Sequence, residues 1–294
     1  MKNDYQCPYN ILPEDVTCEY KSARMDLPKT ITLHYHDGYE LLMFLNGDVS
    51  MFVGSIEKKL VRGDLVIVPP YAVHGLNLEG VPEDVISHYE RVVLNIRPNF
   101  LKTLSDESAD LFRFLKELSS EEYSIVHIDS ESLNSFLRML DRLGAALRNR
   151  QFGHSLMSKA ALTEFIVNLA HYAHHSAPAE FKNSMPRAVT EVIRYVDENL
   201  TGELTVEMIA EKLHHNTDYI GRLFKKATGG ALKYYINAKK MSLAQQYLSQ
   251  GYPPSDVCYM VGFENYSSFS RRFRAQVGMP PKQYQQKEWS DKQE

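Results

Sequence analysis

The 294 residues predict an α+β chain: an N-terminal β-barrel, a helical segment behind it, and a C-terminal all-α domain with two helix-turn-helix units. Three observations carry that expectation. Residues 15–97 hold short runs of β-branched and aromatic residues broken by Gly, Pro and Asn signals, as small barrels and jelly rolls require. Residues 99–175 instead repeat apolar residues at i, i+3, i+4 spacing. Near the C-terminus, one helix-turn-helix pattern occurs twice. The expected units are a barrel over 1–98, a helical segment over 99–175, a linker over 176–186 and the all-α domain over 187–294.

The barrel elements follow in order. Ile31 to Leu45 reads as strand, and Asn46-Gly47 is a strong hairpin-turn signal before Val49–Val53 returns. Arg62-Gly63-Asp64 marks a turn into Leu65–Val68, which stops at Pro69-Pro70. Val85 to Ile96 adds another strand. Within this region lies a set of ligating residue types, His34-x-His36-x3-Glu40 and then His74, with Gly47, Gly63 and Pro69 between them. Alternation puts His34 and His36 on one strand face. The spacing resembles the two cupin motifs and implies a cupin-like barrel. In metal-binding cupins the positions matching His34, His36, Glu40 and His74 hold a divalent ion, and imidazoles with a carboxylate suit Fe, Mn, Zn or Ni. The pattern departs from metal cupins at Tyr71, where they tend to carry Gly. Tyr35, Tyr39, Tyr71 and Tyr89 lie close to the set in sequence, and Tyr89-Glu90-Arg91 opens a strand whose alternate residues face the interior.

The helical segment comprises Phe100–Leu104, Ala109–Leu118, Glu131–Arg150 and His154–Tyr172. Leu133, Phe136, Leu137, Leu140, Leu143 and Leu147 make a broad stripe, part for the barrel and part for a helix–helix contact between two copies. Ser176–Pro186, with two prolines and little periodicity, reads as linker.

The first helix-turn-helix unit runs from Leu204 to Leu213 and from Asn216 to Gly229. Thr205 and Asn216 are N-cap residues. Tyr219, Ile220, Leu223 and Phe224 form a buried face, and Gly229 suits a left-handed C′ position. The second unit runs from Pro254 to Phe263 and from Asn265 to Gly278. Pro254 fits the first helical turn, where its missing N–H costs nothing. Phe269 and Phe273 are core, and Pro280-Pro281 stops the last helix. Between the units, Ala231 to about Ser249 reads as one helix. Its eighteen or so residues span roughly 27 Å, which brings two recognition helices near one DNA turn, about 34 Å.

The stretches Arg222–Gly229, Gly262–Phe273 and Gly278-Met-Pro280 with Tyr284 resemble the AraC/XylS family of bacterial transcription regulators. Departures fall at Cys258, Gly230-Ala231 and Gln285. The resemblance implies base contacts from Asp218, Gly221 and Arg222 in the first recognition helix and from Tyr266, Ser267, Ser270 and Arg271 in the second. Lys225, Lys226, Arg272 and Arg274 are expected on phosphates, which position the protein without reading sequence. In sensor domains of this family, residues like His34, His36, Glu40 and His74 occur without metal at the mouth of a small-ligand pocket; Tyr39 and Glu90, close to them in sequence or on the strand that follows, complete the expected ligand set, while a plainer reading makes His34 and His74 barrel-mouth residues that hold no ligand. The expected effector is therefore a small molecule, a carbohydrate by preference, with no cofactor. A metal-dependent cupin enzyme or metal-sensing regulator built on the four ligating residues is the alternative. Double-stranded DNA, a second copy of the chain and, as a further candidate, RNA polymerase are the expected partners.

Charge agrees with this division. The net charge is −4, yet residues 185–294 carry 15 Lys+Arg against 12 Asp+Glu while residues 1–184 carry 18 against 25. A basic reader joined to an acidic module suits DNA binding at one end. Cys7, Cys18 and Cys258 show no zinc or redox spacing and fit free thiols in a reducing cytoplasm. No signal pattern or membrane-length apolar run is expected, and no Walker loop, GxGxxG or nucleophile elbow points to an enzyme.

Overall fold

A computed structural model describes residues 9–10, 14–22, 33–53, 56–77, 82, 86, 88–119, 124–149, 151–175 and 185–290. The chain is layered. A five-stranded sheet has the order β10-β7-β4-β9-β2, formed by Ser124–His127, Asp64–Val68, Tyr39–Asn46, Glu90–Ile96 and Val16–Ser22. A three-stranded sheet, β6-β5-β8, is formed by Ile56–Lys59, Ser50–Val53 and His74–Asn77. Leu42, Phe44, Val66 and Val68 of the first sheet pack with Met51, Val53 and Leu76 of the second to form the interior between them. A short strand β1 (Tyr9–Asn10) pairs in parallel with β3 (Tyr35–His36).

Strand alternation sends the other residues outward. On the five-stranded sheet, Tyr39, Leu41, Met43, Val92, Leu94 and Ile96 meet four helices. These are α1 (Pro98–Leu104), α2 (Leu111–Leu118), α3 (Ser130–Arg148) and α4 (His154–His175). Leu133, Phe136, Leu140 and Leu143 of the α3 stripe are buried in this same cluster, so the stripe is largely used within the chain. Large apolar side chains stand exposed instead at the α3–α4 corner, at Phe152, Leu156 and Met157.

Two expectations change here. Asn46-Gly47 closes no hairpin: β4 pairs with β7 and β9, whereas β5 pairs with β6 and β8. Gly47 has φ 124° and lies so close to Tyr89 that a Cβ would sit 3.0 Å from its Cα. The turn thus hands the chain from one sheet to the other. Strand β10 was also not foreseen; its four residues pair with β7, and His127 Nδ1 lies 3.0 Å from the fully buried Asp64 carboxylate. Lys58 and the Val61 N–H donate to the other oxygen of Asp64 at 2.8 and 2.9 Å, so the turn predicted at 62–64 is held by a satisfied buried acid.

The remaining helices are α5 (Arg187–Glu198), α6 (Val206–Lys212), α7 (Thr217–Thr228), α8 (Leu232–Ser249), α9 (Pro254–Met260), α10 (Tyr266–Val277) and α11 (Pro281–Ser290). Their core includes Val192, Ile209, Phe224, Tyr235, Met241, Val257, Phe269 and Phe273. Phe52, on the outer side of the three-stranded sheet, is buried in that same core together with Val73, just before β8, and Leu33 and Tyr35, which flank the His34–His74 bridge. The sequence of layers is therefore helices, five-stranded sheet, three-stranded sheet, helix-turn-helix domain. Most of the expected linker lies outside the described residues; Met185, at its end, is buried in the helical core. Cys18 and Cys258 are free and buried, and Cys7 lies outside the described residues. Among the described residues no helix is long and apolar enough to cross a membrane.

Candidate nucleic-acid interface and buried polar site

Each helix-turn-helix unit is fixed by local chemistry. Thr205 caps α6 by accepting from the Met208 N–H. Asn216 and Asn265 cap α7 and α10 by accepting from Tyr219 and Ser268 N–H, and Gly229 and Gly278 end them with φ 73° and 84°. The turn joining the helices takes a left-handed residue in both units, His214 with φ 57° and Gly262 with φ 71°.

Counting from the capping asparagines superimposes the two recognition helices. Arg222 and Arg271 then occupy one position, Lys225 and Arg274 another, and Asp218 and Ser267 a third. Asp218, Arg222, Lys225, Lys226, Tyr266, Ser267, Arg271, Arg272 and Arg274 are exposed; Gly221 and Ser270 are half-buried. A Cβ at Gly221 would meet nothing within 4 Å, so packing does not demand this glycine. Arg272 is turned sideways. It donates to Asn237 of α8 at 3.0 Å and lies over the Phe263 ring. Its counterpart in the first helix is Leu223, which packs against the core. Tyr219 was expected in the core but is 47% exposed; it follows the cap by three residues, on the side that Ser268 occupies in α10. Its ring instead lies 6.0 Å from that of His215.

The second site is buried. His34 and His74 exchange backbone hydrogen bonds of 2.9 Å, which places their rings 4.2 Å apart. His36 lies one alternation further along, 5.0 Å from His74. Glu40 projects between them from β4, its oxygens 3.5 Å from His36 Nε2 and 3.7 Å from His74 Nε2. The Nδ1 atoms of His36 and His74 each lie 2.8 Å from a carbonyl, those of Gly38 and Ala72. A carbonyl can only accept, so each Nδ1 carries hydrogen and each Nε2 of a neutral ring is left with its lone pair. Burial, reinforced by the neighbouring His34, holds the His74 imidazole well below its usual range. Burial alone would raise the Glu40 carboxyl, but the adjacent imidazoles, His36 foremost, hold it below the usual carboxylate range.

Register extends this site along the interior. Glu40 lies opposite Asn95, Leu42 opposite Val93 and Phe44 opposite Arg91, so Arg91 and Asn95 share the inward face. Tyr89 is buried there too, with the Arg91 guanidinium over its ring at 4.5 Å. The hydroxyl of Tyr89, Nη1 of Arg91, Oδ1 of Asn95 and the Nε2 atoms of His36 and His74 are buried without a hydrogen-bond partner among the described residues.

The structure brings together His34, His36, Glu40 and His74 of the expected set and parts them from Tyr39 and Glu90. Tyr39 packs in the helix-covered cluster, and Glu90 lies on the same outward face as Val92 and Leu94. Both change face because a strand turns successive side chains to opposite sides. Arg91 and Asn95 were missed; the Tyr89-Glu90-Arg91 run gave the period but not its phase. Tyr35 and Tyr71, near the set in sequence, point to the helix-turn-helix domain. Tyr71 has φ 65°, donates its N–H to the His36 carbonyl at 2.7 Å, accepts Ser242 Oγ at its own carbonyl at 2.8 Å, and places its hydroxyl 3.1 Å from that of Tyr284. A left-handed backbone is one that glycine adopts without steric cost, so Tyr71 holds a conformation better suited to glycine.

Comparison with known proteins agrees with both halves. Residues 17–166 match the family model of the AraC-like ligand binding domain, and residues 209–287 match a helix-turn-helix domain model. The chain is 30% identical over 146 residues to the uncharacterized HTH-type transcriptional regulator YobQ of Bacillus subtilis, covering 46% of this chain and 61% of that protein, less than two thirds of its length. It is 23% identical over 272 residues to the melibiose operon regulatory protein of Escherichia coli, covering 86% and 83%. Among solved structures, an apo ToxT variant from Vibrio cholerae aligns at 13% identity and a TM-score of 0.38 over 95% of this chain and 98% of that one. A basic tandem reader and a barrel with a buried polar centre, each matched by its own family model, place the chain in the AraC family of DNA-binding transcription regulators, with an N-terminal ligand-binding domain.

Proposed function

We propose that this regulator responds to a small polar molecule, a carbohydrate by preference, bound between the two sheets. The observation that carries the reading is the group of buried polar atoms without partners at His36, His74, Tyr89, Arg91 and Asn95. Each such atom costs about 1–3 kcal/mol when left unmade, and a polyhydroxylated ligand supplies both donors and acceptors. The melibiose regulator's similarity over most of the chain favours a sugar. Glu40 would accept from ligand hydroxyls, and Arg91 and Tyr89 would donate. The reader then acts from the cytoplasm as a dimer. Phe152, Leu156 and Met157, beside a cleft of about 410 Å³ that includes Ala145, Ala146, Ala160 and Ala161, form the apolar face for the second copy.

A thermal-shift screen of the full chain against mono- and disaccharides, including melibiose, tests the effector. A saturable rise in melting temperature that Glu40→Gln and Arg91→Met abolish supports it. If no sugar or related polar metabolite shifts the wild type, the carbohydrate reading fails.

A second reading has its own observation. Two imidazoles, each oriented through Nδ1 by a carbonyl, direct Nε2 lone pairs toward the Glu40 carboxylate, and ligating atoms of His34, Glu40 and His74 all lie within 4.8 Å of one another. Lone pairs facing an anion fit a cation between them, and outer hydrogen bonds of this kind orient metal-binding histidines. The donor set thus fits a divalent ion, which would supply a fixed charge joining β3, β4 and β8. Elemental analysis of purified protein and of His74→Ala decides: a stoichiometric metal lost in the variant favours this reading, and metal-free protein that still takes a sugar excludes it.

A further inference from the structure

The two helix-turn-helix units meet at a junction that neither recognition helix supplies. The loop leading into α6 passes the turn between α9 and α10 so closely that a Cβ on Gly262 would lie 2.4 Å from the Gly202 carbonyl oxygen. Lys240, near the middle of α8, reaches this junction. It is 6% exposed, and its Nζ donates to the Gly202 carbonyl at 2.7 Å and to the Gly262 carbonyl at 3.3 Å. Among the described residues no carboxylate forms an ion pair with it. A buried ammonium without a paired anion is a poor device for stability alone. Its geometry, however, ties three pieces of chain at one point: the connector helix, the loop before the first unit and the turn inside the second.

We propose that Lys240 is a positioning residue that sets the relative placement of α7 and α10, and with it the number of base pairs between the two DNA elements they read. Each unit is attached to one end of α8, so small rotations about that helix become large displacements at the recognition surfaces. One base-pair step is about 3.4 Å along the duplex axis, and a displacement of that order misplaces one helix by a full step. Contact at Gly202 and Gly262 alone would limit approach without preventing separation. The ammonium supplies the attraction across that contact, and the left-handed Gly262 keeps its carbonyl within reach.

The experiment uses the full chain and a duplex that the wild type selects from a random-sequence pool. Companion duplexes carry one base pair added or removed between the two contacted elements, or a scrambled second element. Wild type is expected to bind the respaced duplexes about tenfold more weakly than the selected one. Lys240→Met is expected to bind the selected duplex about tenfold more weakly, to bind the single-element duplex within about twofold of wild type, and to show no spacing preference. Lys240→Arg keeps charged donors and should recover the preference; Gly262→Ala, which displaces the Gly202 carbonyl, should lose it. Retention of the wild-type spacing preference by Lys240→Met overturns the proposal. So does loss of single-element binding together with helical circular dichroism, because Lys240 would then serve folding alone.

Discussion

Arg222 and Arg271 each stand six residues after a capping asparagine, at equivalent and exposed places on the two recognition helices. An arginine there can donate two parallel hydrogen bonds to guanine, and losing one should reduce discrimination by about 1–3 kcal/mol. Arg222→Ala and Arg271→Ala should each narrow the affinity gap between a selected duplex and its single-base variants in competition binding; an unchanged gap removes the residue from base reading. Lys225→Ala should instead weaken binding to all duplexes alike and flatten the salt dependence. The caps themselves were legible from sequence because a side-chain oxygen and an N–H three residues on need nothing else. Asp129 adds a titratable case. Its carboxylate accepts the Tyr172 hydroxyl at 2.6 Å and the N–H groups of Ser132 and Glu131 at 2.8 and 2.9 Å, and the Tyr172 bond foremost brings its pKa down to about 2. A depressed carboxylate stabilises above its unfolded value near 3.8 and loses that contribution as pH falls toward 2. Asp129→Asn should therefore lower the denaturant midpoint at pH 7 and converge with wild type near the acid limit.

At the scale of elements, the helices of the reader and the helical segment follow their apolar periodicity closely, because each helix repeats a local pattern. The sheets were less legible. A two-residue period tells which side chains share a face but not which face is which, and here both faces of β4 and β9 are buried. Val92, Leu94 and Ile96 look like the interior set, yet they meet the helices, while Arg91, Val93 and Asn95 turn inward. Asn46-Gly47 misled for a related reason: sheet membership depends on distant partners, and the same dipeptide serves a corner between sheets. The helix α3 shows the converse, since its leucine stripe is spent on the chain's own sheet. On the proposed function, the corner with Phe152 is what remains for a second copy. Phe152→Asp should shift the chain from dimer toward monomer in sedimentation equilibrium while leaving the protomer's fold intact by circular dichroism, because among the described residues the ring is fully exposed. A wild-type monomer at micromolar concentration would refute the assignment of that face.

For the whole molecule, the joined core matters most. Leu33, Tyr35, Phe52 and Val73 belong to the barrel by sequence and to the helix-turn-helix domain by packing, while their neighbours His34, His36 and His74 line the buried polar site. Tyr71 ties the same region to α8 and α11 and holds a left-handed backbone that costs an aromatic residue roughly 1–3 kcal/mol. On the proposed function, a ligand that moves β3 or β8 cannot do so without disturbing the reader's core. The alternation of the strand carries a consequence for genetics. On that same reading, in a selection for altered regulation, replacements at the even positions His34 and His36 should yield regulators deaf to their effector, whereas replacements at the odd positions Leu33 and Tyr35 should yield regulators whose output no longer depends on one. Adjacent codons would then fall into opposite phenotypic classes, and a mutant map of this segment should alternate with the parity of the residue number.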